Sequence, residues 1–144
     1  MDPSTLFQIA NPMAMVGWLA LLATPLSPLW TQRIAGLVIP LLLSVAYVGL
    51  IFAFWTGAEG GFDTLANVMK LFEDPNLVLA GWLHFLAFDL FVGAWIARTG
   101  RAEGAPFLLL IPCFALAFLF GPAGFLLFTI MRAILAARAQ AKEA

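Results

Sequence analysis

The chain has 144 residues, of which 63% are hydrophobic and 10% charged, with a formal net charge of -1 and a mean hydropathy of +1.00. These values lie far outside the range of soluble domains and indicate an integral membrane protein. A charge balance near zero, without a basic block, predicts no nucleic-acid partner.

Four apolar runs are long enough to cross a bilayer, at residues 6–23, 34–55, 77–97 and 107–131. A spanning helix needs about 20 apolar residues. The sequence therefore predicts an all-α fold, a bundle of four transmembrane helices forming a single domain over residues 1–144. The residues ahead of the first run lack a basic segment and a cleavage site, so we expect a retained helix and not a secretion signal.

The first helix carries two amide side chains near a proline. Asp2 and Pro3 are typical of a helix start, and Pro12 is predicted to interrupt the helix because its ring removes a backbone donor. Gln8 and Asn11 lie three residues apart and share a face. They either link helices or contact a ligand, and the sequence leaves both interpretations open.

A short hairpin, a bent second helix and an interfacial segment are expected next. Prolines at 25 and 28 end the first helix, so the first two helices are expected to be antiparallel neighbours. Pro40 is predicted to bend the second helix near Gly36. Within 62–72, apolar residues recur at spacings of three and four, which predicts a short amphipathic interfacial helix between the second and third spans. It is either a lid over a lipid-facing entrance or a plain connector.

The third helix contains His84 and Asp89, and His84 is the only histidine in the chain. An ionisable side chain at bilayer depth costs several kcal/mol unless it has a partner or a water cavity, so both are functional candidates. Helical geometry places them roughly 140° apart. They therefore face different ways, and both can face protein only if the third helix is central or the protein oligomerises. They serve either proton chemistry or helix packing.

Glycine and proline in 120–124 predict a kink or local unwinding of the fourth helix near mid-depth. Four spans would put both termini on one side of the membrane. Under that arrangement the lysines and arginines divide four against three, which does not fix the orientation but leans towards both termini in the cytoplasm.

Metal and cofactor chemistry find little support in the sequence. A metal site would have to complete His84 and Asp89 with Asn11, Gln8 or Tyr47, which are poor zinc ligands. Nucleotide and dinucleotide fingerprints are missing, and a single histidine cannot supply a haem pair. The sequence therefore predicts no metal and no cofactor. The lone Cys113 cannot form an intrachain disulfide and is interpreted as a small buried hydrophobe.

Most of the chain resembles a known family. The run Gly-Trp-Leu-His-Phe-Leu-Ala-Phe-Asp-Leu-Phe-Val-Gly-Ala-Trp-Ile-Ala-Arg at 81–98, the Ile-Pro-Cys at 111–113 and the segment 118–132 resemble the abscisic-acid-deficient-4-like membrane family. Asn-Pro at 11–12 and Phe-Glu-Asp-Pro at 72–75 also fit. Plant members of that family are associated with neoxanthin synthesis, in which an epoxide opens and a ring-side proton is lost. Such a reaction needs an acid and a base.

The resemblance implies a cofactor-independent membrane isomerase of a carotenoid or related polyene, such as a retinoid, with no net redox change. It assigns His84 and Asp89 as the catalytic residues. It also suggests substrate-binding residues: Asn11, Tyr47, Trp82, Phe85, Phe88 and Trp95.

Two alternatives stay open, namely a module for polyene binding or proton-coupled transport of a small solute, and an assembly factor. The expected partner is a polyene taken from the bilayer, and a homo-oligomer is a further alternative. The short chain, without a transit-peptide-like extension, favours a bacterial member in the inner (cytoplasmic) membrane.

Overall fold

The computed structural model describes residues 2–143. The helices are α1 (Pro3–Leu22), α2 (Pro28–Arg33), α3 (Ile39–Phe54), α4 (Leu65–Leu71), α5 (Pro75–Ala102) and α6 (Phe107–Glu143). A π-helical segment, Ile34–Val38, joins α2 to α3, and a 3-10 turn, Trp55–Gly57, follows α3. Within residues 2–143, four helices are long and apolar enough to cross a membrane, the second being the continuous stretch Pro28–Gly57 that α2, the π-helical segment, α3 and the 3-10 turn form together. The predicted all-α membrane fold is confirmed, as is a short helix between the second and third apolar helices.

Helix α5 lies at the centre of the bundle. In its most apolar stretch 56% of the residues are buried, against 17–33% in the other three long helices, and it contacts α1, α3 and α6. Glycine allows the close approach to α1, because a Cβ at Gly93 would lie 2.8 Å from side-chain atoms of Leu21 and Trp18. The central position that His84 and Asp89 require is therefore present within one chain.

Helix α1 begins as predicted but continues through Pro12. The Asp2 carboxylate accepts a hydrogen bond from the backbone N–H of Thr5 at 3.2 Å, which caps the helix. The Asn11 side chain donates to the Phe7 carbonyl at 2.9 Å. The predicted interruption is wrong, because proline removes one backbone bond and the bonds on either side keep the helix continuous.

The predicted irregularity near Gly36 is a π-helical segment. The backbone N–H of Ile39 bonds the carbonyl of Ile34, five residues back. Pro40, which has no N–H, cannot donate to the Gly36 carbonyl in the ordinary α-helical pattern. The wider π turn accommodates that loss and lets Gly36 approach Ala94 of α5.

Helix α6 reverses direction at Phe120, whose φ of -149° and ψ of 67° are not helical. A Cβ built on Gly124 would overlap the backbone of Ala117, although a straight helix would separate these residues by about 10 Å. Arg132 hydrogen-bonds Glu103, which precedes α6, whereas a straight helix would carry Arg132 roughly 37 Å beyond Phe107. The irregularity predicted for 120–124 is thus in the right place, but it is a helical hairpin whose second half returns to the starting face. We call residues 120–121 the apex.

The reversal places the N-terminal and C-terminal ends of the described chain on opposite faces, so the expectation that they share a side is wrong. One face, the basic end, holds residues 23–33, residues 98–106 and the end of α6 from Arg132 onward. It carries six basic and two acidic residues, a formal charge of +4. The other face, the acidic end, holds the start of α1 and residues 55–74, with one basic and five acidic residues, a formal charge of -4.

The Glu103–Arg132 ion pair closes the hairpin at the basic end. Arg132 Nε donates to Glu103 Oε2 at 2.7 Å, and this hydrogen bond holds the pKa of the Glu103 carboxyl below its ordinary value of 4.5. A carboxyl with a lowered pKa in the folded state stabilises the fold above its ordinary pKa, and the stabilisation is lost as the pH falls through the lowered value.

We therefore expect Glu103→Gln to lower the thermal unfolding midpoint slightly near neutral pH, since the pair is exposed. Well below pH 4.5 the two proteins should unfold at the same temperature. Thermal unfolding in detergent across this pH range measures the difference. A gap between the proteins that widened with acidification would contradict the assignment.

Candidate functional site

His84 lies on α5 between two aromatic side chains. Its ring is stacked on Phe88, with the centroids 4.6 Å apart, and is tilted against Tyr47 of α3 at 5.8 Å. The imidazole is exposed although it lies within a membrane-spanning helix. His84 is therefore an accessible polar group at bilayer depth, which is the setting expected for an intramembrane functional residue.

His84 opens onto a cleft of about 290 Å³ between α3, α4 and α5. Its other lining side chains are predominantly aliphatic or aromatic: Tyr47, Ile51, Trp55, Phe62, Leu71, Phe72, Leu77, Ala80 and Gly81. Phe72, which follows α4, packs closely on α5, because a Cβ at Gly81 would lie 2.8 Å from its ring. The interfacial segment thus forms one wall of the cleft, an arrangement that both the lid and the connector interpretations allow.

The interfacial segment is held in place by polar contacts. The Thr64 hydroxyl caps α4 by accepting from the Asn67 N–H at 3.2 Å. Lys70 pairs with Glu59 at 2.8 Å, and that hydrogen bond lowers the pKa of the Glu59 carboxyl. Gly60 adopts a φ of +104°, which brings its backbone onto α4 in a conformation that side chains rarely allow.

Asn11, Trp82 and Phe85 form a second group, between α1 and α5. Trp82 Nε1 donates to Asn11 Oδ1 at 2.8 Å, and its ring is stacked on Phe85 with the centroids 5.4 Å apart. Asn11 therefore links α1 to α5, which is the first of the two interpretations given for the amide side chains. Gln8 and Trp82 line a separate groove of about 310 Å³ between the beginnings of α1 and α5.

Asp89 lies on another side of α5, against the apex of the α6 hairpin. The side chain is 8% exposed, and Oδ2 has no hydrogen-bond partner among the described residues. Gly121 lies directly against the carboxylate, because any Cβ there would overlap Asp89. Because helix N-termini favour negative charge, the carboxylate complements the start of the returning half of α6.

Trp95 belongs to a third aromatic group, near the basic end. Its ring lies 5.2 Å from that of Phe128, edge to face, and 5.4 Å from that of Phe125. The Arg132 guanidinium lies 5.8 Å from the Trp95 ring. Trp95 therefore packs against the returning half of α6 and not beside His84.

The structure brings together three of the predicted site residues, His84, Tyr47 and Phe88. It places the other five elsewhere: Asn11, Trp82 and Phe85 beside α1, Asp89 at the apex and Trp95 beside α6. The expectation that His84 and Asp89 face different ways is confirmed. Sequence reasoning missed Gly121 as the neighbour of Asp89 and did not include Phe72 in the site, although the spacing of 62–72 was a usable signal for the latter.

Comparison with known proteins adds a family to this geometry. A family model described as ABA DEFICIENT 4-like matches residues 5–128, which include the His84 cleft, Asp89 and the α6 apex. The chain belongs to that family. Membership relates this membrane protein to carotenoid and neoxanthin metabolism. No match is found among the curated proteins or among the solved structures.

Proposed function

We propose that the protein is a membrane isomerase that converts a carotenoid or related polyene without net redox change, and that the His84 cleft receives the substrate. The observation that carries this proposal is the exposed imidazole of His84 in an aromatic cleft at bilayer depth. Rigid apolar walls suit a polyene, and a few polar groups suffice to orient it. The cytoplasmic membrane of a bacterium is the proposed location.

The chemistry assigned to the cleft is proton transfer. A base takes a carbon-bound proton, and the electron pair of the broken C–H bond forms a new double bond. At the same time either an adjacent double bond gives its electron pair to its far carbon, or the epoxide C–O bond breaks and gives its pair to oxygen, and an acid protonates that carbon or oxygen. Neutral imidazole offers one basic nitrogen and one N–H, so His84 can serve as acid or base. The Tyr47 hydroxyl is the second titratable group of the cleft, which makes it the partner that the geometry favours.

A second apolar groove lacks such groups. It has a volume of about 300 Å³ and lies between α1 and the first half of α6, where Trp18 and Phe118 meet edge to face at 5.5 Å. Its lining is apolar throughout: Met15, Trp18, Leu19, Leu22, Ile111, Phe114, Ala115 and Phe118. This groove could hold a lipid tail, but it offers no residue for proton transfer.

The proposal predicts that His84→Ala abolishes isomerisation. Acid or base groups contribute about 10²–10⁴-fold to rate, so we expect at least a hundredfold loss, and a smaller loss in Tyr47→Phe. The measurement is chromatography of pigments from carotenoid-producing bacterial cells that express each variant, followed by incubation of purified protein with violaxanthin and with retinal. Phe91→Ala is the matched control, because Phe91 lies on α5 but does not line the cleft.

An unchanged product profile in His84→Ala, with normal membrane expression, would overturn the assignment. One observation favours the alternative of polyene binding or proton-coupled transport. Asp89 is buried beside a half-helix N-terminus, and its Oδ2 has no hydrogen-bond partner in the described part of the chain. Pigment that copurifies unconverted, together with proton-driven uptake that Asp89→Asn removes, would identify that function instead.

A further inference from the structure

We propose that the basic end binds the phosphate of an anionic phospholipid between Arg98 and Arg101. Both arginines lie in the last turns of α5, one turn apart, and line a groove of about 450 Å³ between α5 and the start of α2. Arg101 also lines an adjoining groove of about 280 Å³ that reaches connection 103–106. The two guanidinium groups therefore flank a concave surface at the edge of the bundle.

Neither arginine is neutralised by a carboxylate among the described residues. Glu103, the acidic residue nearest to them in sequence, is occupied by Arg132. Arg98 Nη1 instead donates to Gln32 Oε1 at 3.3 Å, while Gln32 Nε2 donates to the Ala94 carbonyl at 2.9 Å. Gln32 thus orients Arg98 without cancelling its charge, which leaves the groove suited to an anion.

The surroundings of the groove favour a lipid as the source of that anion. Pro28 and Leu29 line it beside the arginines, and Leu29 and Trp30 are 62% and 58% exposed. Apolar side chains so exposed at the end of a spanning helix contact acyl chains. A phospholipid would match both features of the groove. Its phosphate would bind the two guanidinium groups, and its acyl chains would lie along the apolar side chains of α2. The +4 charge of this end complements an anionic leaflet.

Native mass spectrometry of the purified full chain provides the test, with added phosphatidylglycerol, phosphatidylcholine or inorganic phosphate. We expect retention of phosphatidylglycerol and little retention of the other two. Because an arginine near an anionic surface is worth roughly fivefold in affinity, each single variant, Arg98→Gln or Arg101→Gln, should weaken retention roughly fivefold and the double variant roughly thirtyfold. Arg138→Gln is the matched control, since Arg138 lies beyond both grooves on α6.

Equal retention of phosphatidylglycerol by the wild type and the double variant would overturn the proposal. So would an equal effect of Arg138→Gln, which would show diffuse charge attraction, or equal binding of inorganic phosphate, which would identify a soluble anion. Arg98→Lys with Arg101→Lys guards against misfolding. It keeps the charge but not the bidentate geometry, and it should retain more lipid than the glutamine pair and less than the wild type.

Discussion

A cysteine introduced by Ala137→Cys should react with a membrane-impermeant maleimide from the same side as one introduced by Ala102→Cys, and from the opposite side to one introduced by Ala66→Cys. Ala102 lies at the end of α5, Ala66 in α4 and Ala137 in the returning half of α6, and all three are exposed. The expectation follows from the reversal at Phe120. If α6 crossed the membrane, Ala137 would label together with Ala66.

The labelling is done on sealed inside-out and right-side-out vesicles, with each cysteine in a Cys113→Ala background so that one thiol is present. The comparison among the three positions tests the hairpin whichever way the protein is inserted. The side of the membrane from which each cysteine is labelled tests the orientation of the protein. Six of the seven lysines and arginines lie at the basic end, so the positive-inside rule puts that end in the cytoplasm. Labelling of Ala137→Cys together with Ala66→Cys would refute the reversal.

Gly121→Ala and Gly124→Ala should each destabilise the protein by about 1–3 kcal/mol, the usual effect of overpacking. At Gly121 the added methyl group would overlap the Asp89 carboxylate, and at Gly124 it would overlap the Ala117 backbone. Thermal unfolding in detergent, followed by size-exclusion chromatography, measures the loss. Gly49→Ala is the matched control, because nothing lies within 4 Å of a Cβ there, and it should be neutral or slightly stabilising.

A double-mutant cycle separates the two contacts at the hairpin. Asp89→Ala removes the group that the methyl of Gly121→Ala would strike, so the second substitution should cost less in that background, with a coupling of about 0.5–3 kcal/mol. Gly124→Ala should cost the same in either background, since its clash is with Ala117. Strict additivity of Asp89→Ala and Gly121→Ala would argue against the contact between them.

Much of the bundle could be predicted because local sequence determines it. The run around His84 and Asp89 is long, apolar and uninterrupted, so α5 and the divergence of its two ionisable side chains follow from helical geometry. Pro40 removes a donor at a known position, which predicts the irregularity at Gly36. The recurrence of apolar residues at spacings of three and four within 62–72 predicts the helix α4. In each case the cause lies within a few residues of its effect.

The reversal of α6 could not be predicted in this way. An apolar run of the length of 107–131 suits a crossing helix or a hairpin buried against a neighbour, and glycine and proline at the midpoint are compatible with both. Contacts distant in sequence decide between them, such as Gly121 against Asp89 and Arg132 against Glu103. The same limit affected the site, because the resemblance grouped Tyr47 and Asp89 with His84 as site residues, whereas only Tyr47 shares its cleft.

The hairpin also gives the membrane-inserted helices a different cross-sectional area in each leaflet. Two α6 segments pack with three crossing helices in the leaflet at the basic end, whereas α6 stops at its apex beside Asp89 and only the three crossing helices continue into the other leaflet. The membrane-inserted helices therefore occupy more of one leaflet than of the other. These helices together form a wedge that is broad at the basic end and narrower between the apex and the acidic end.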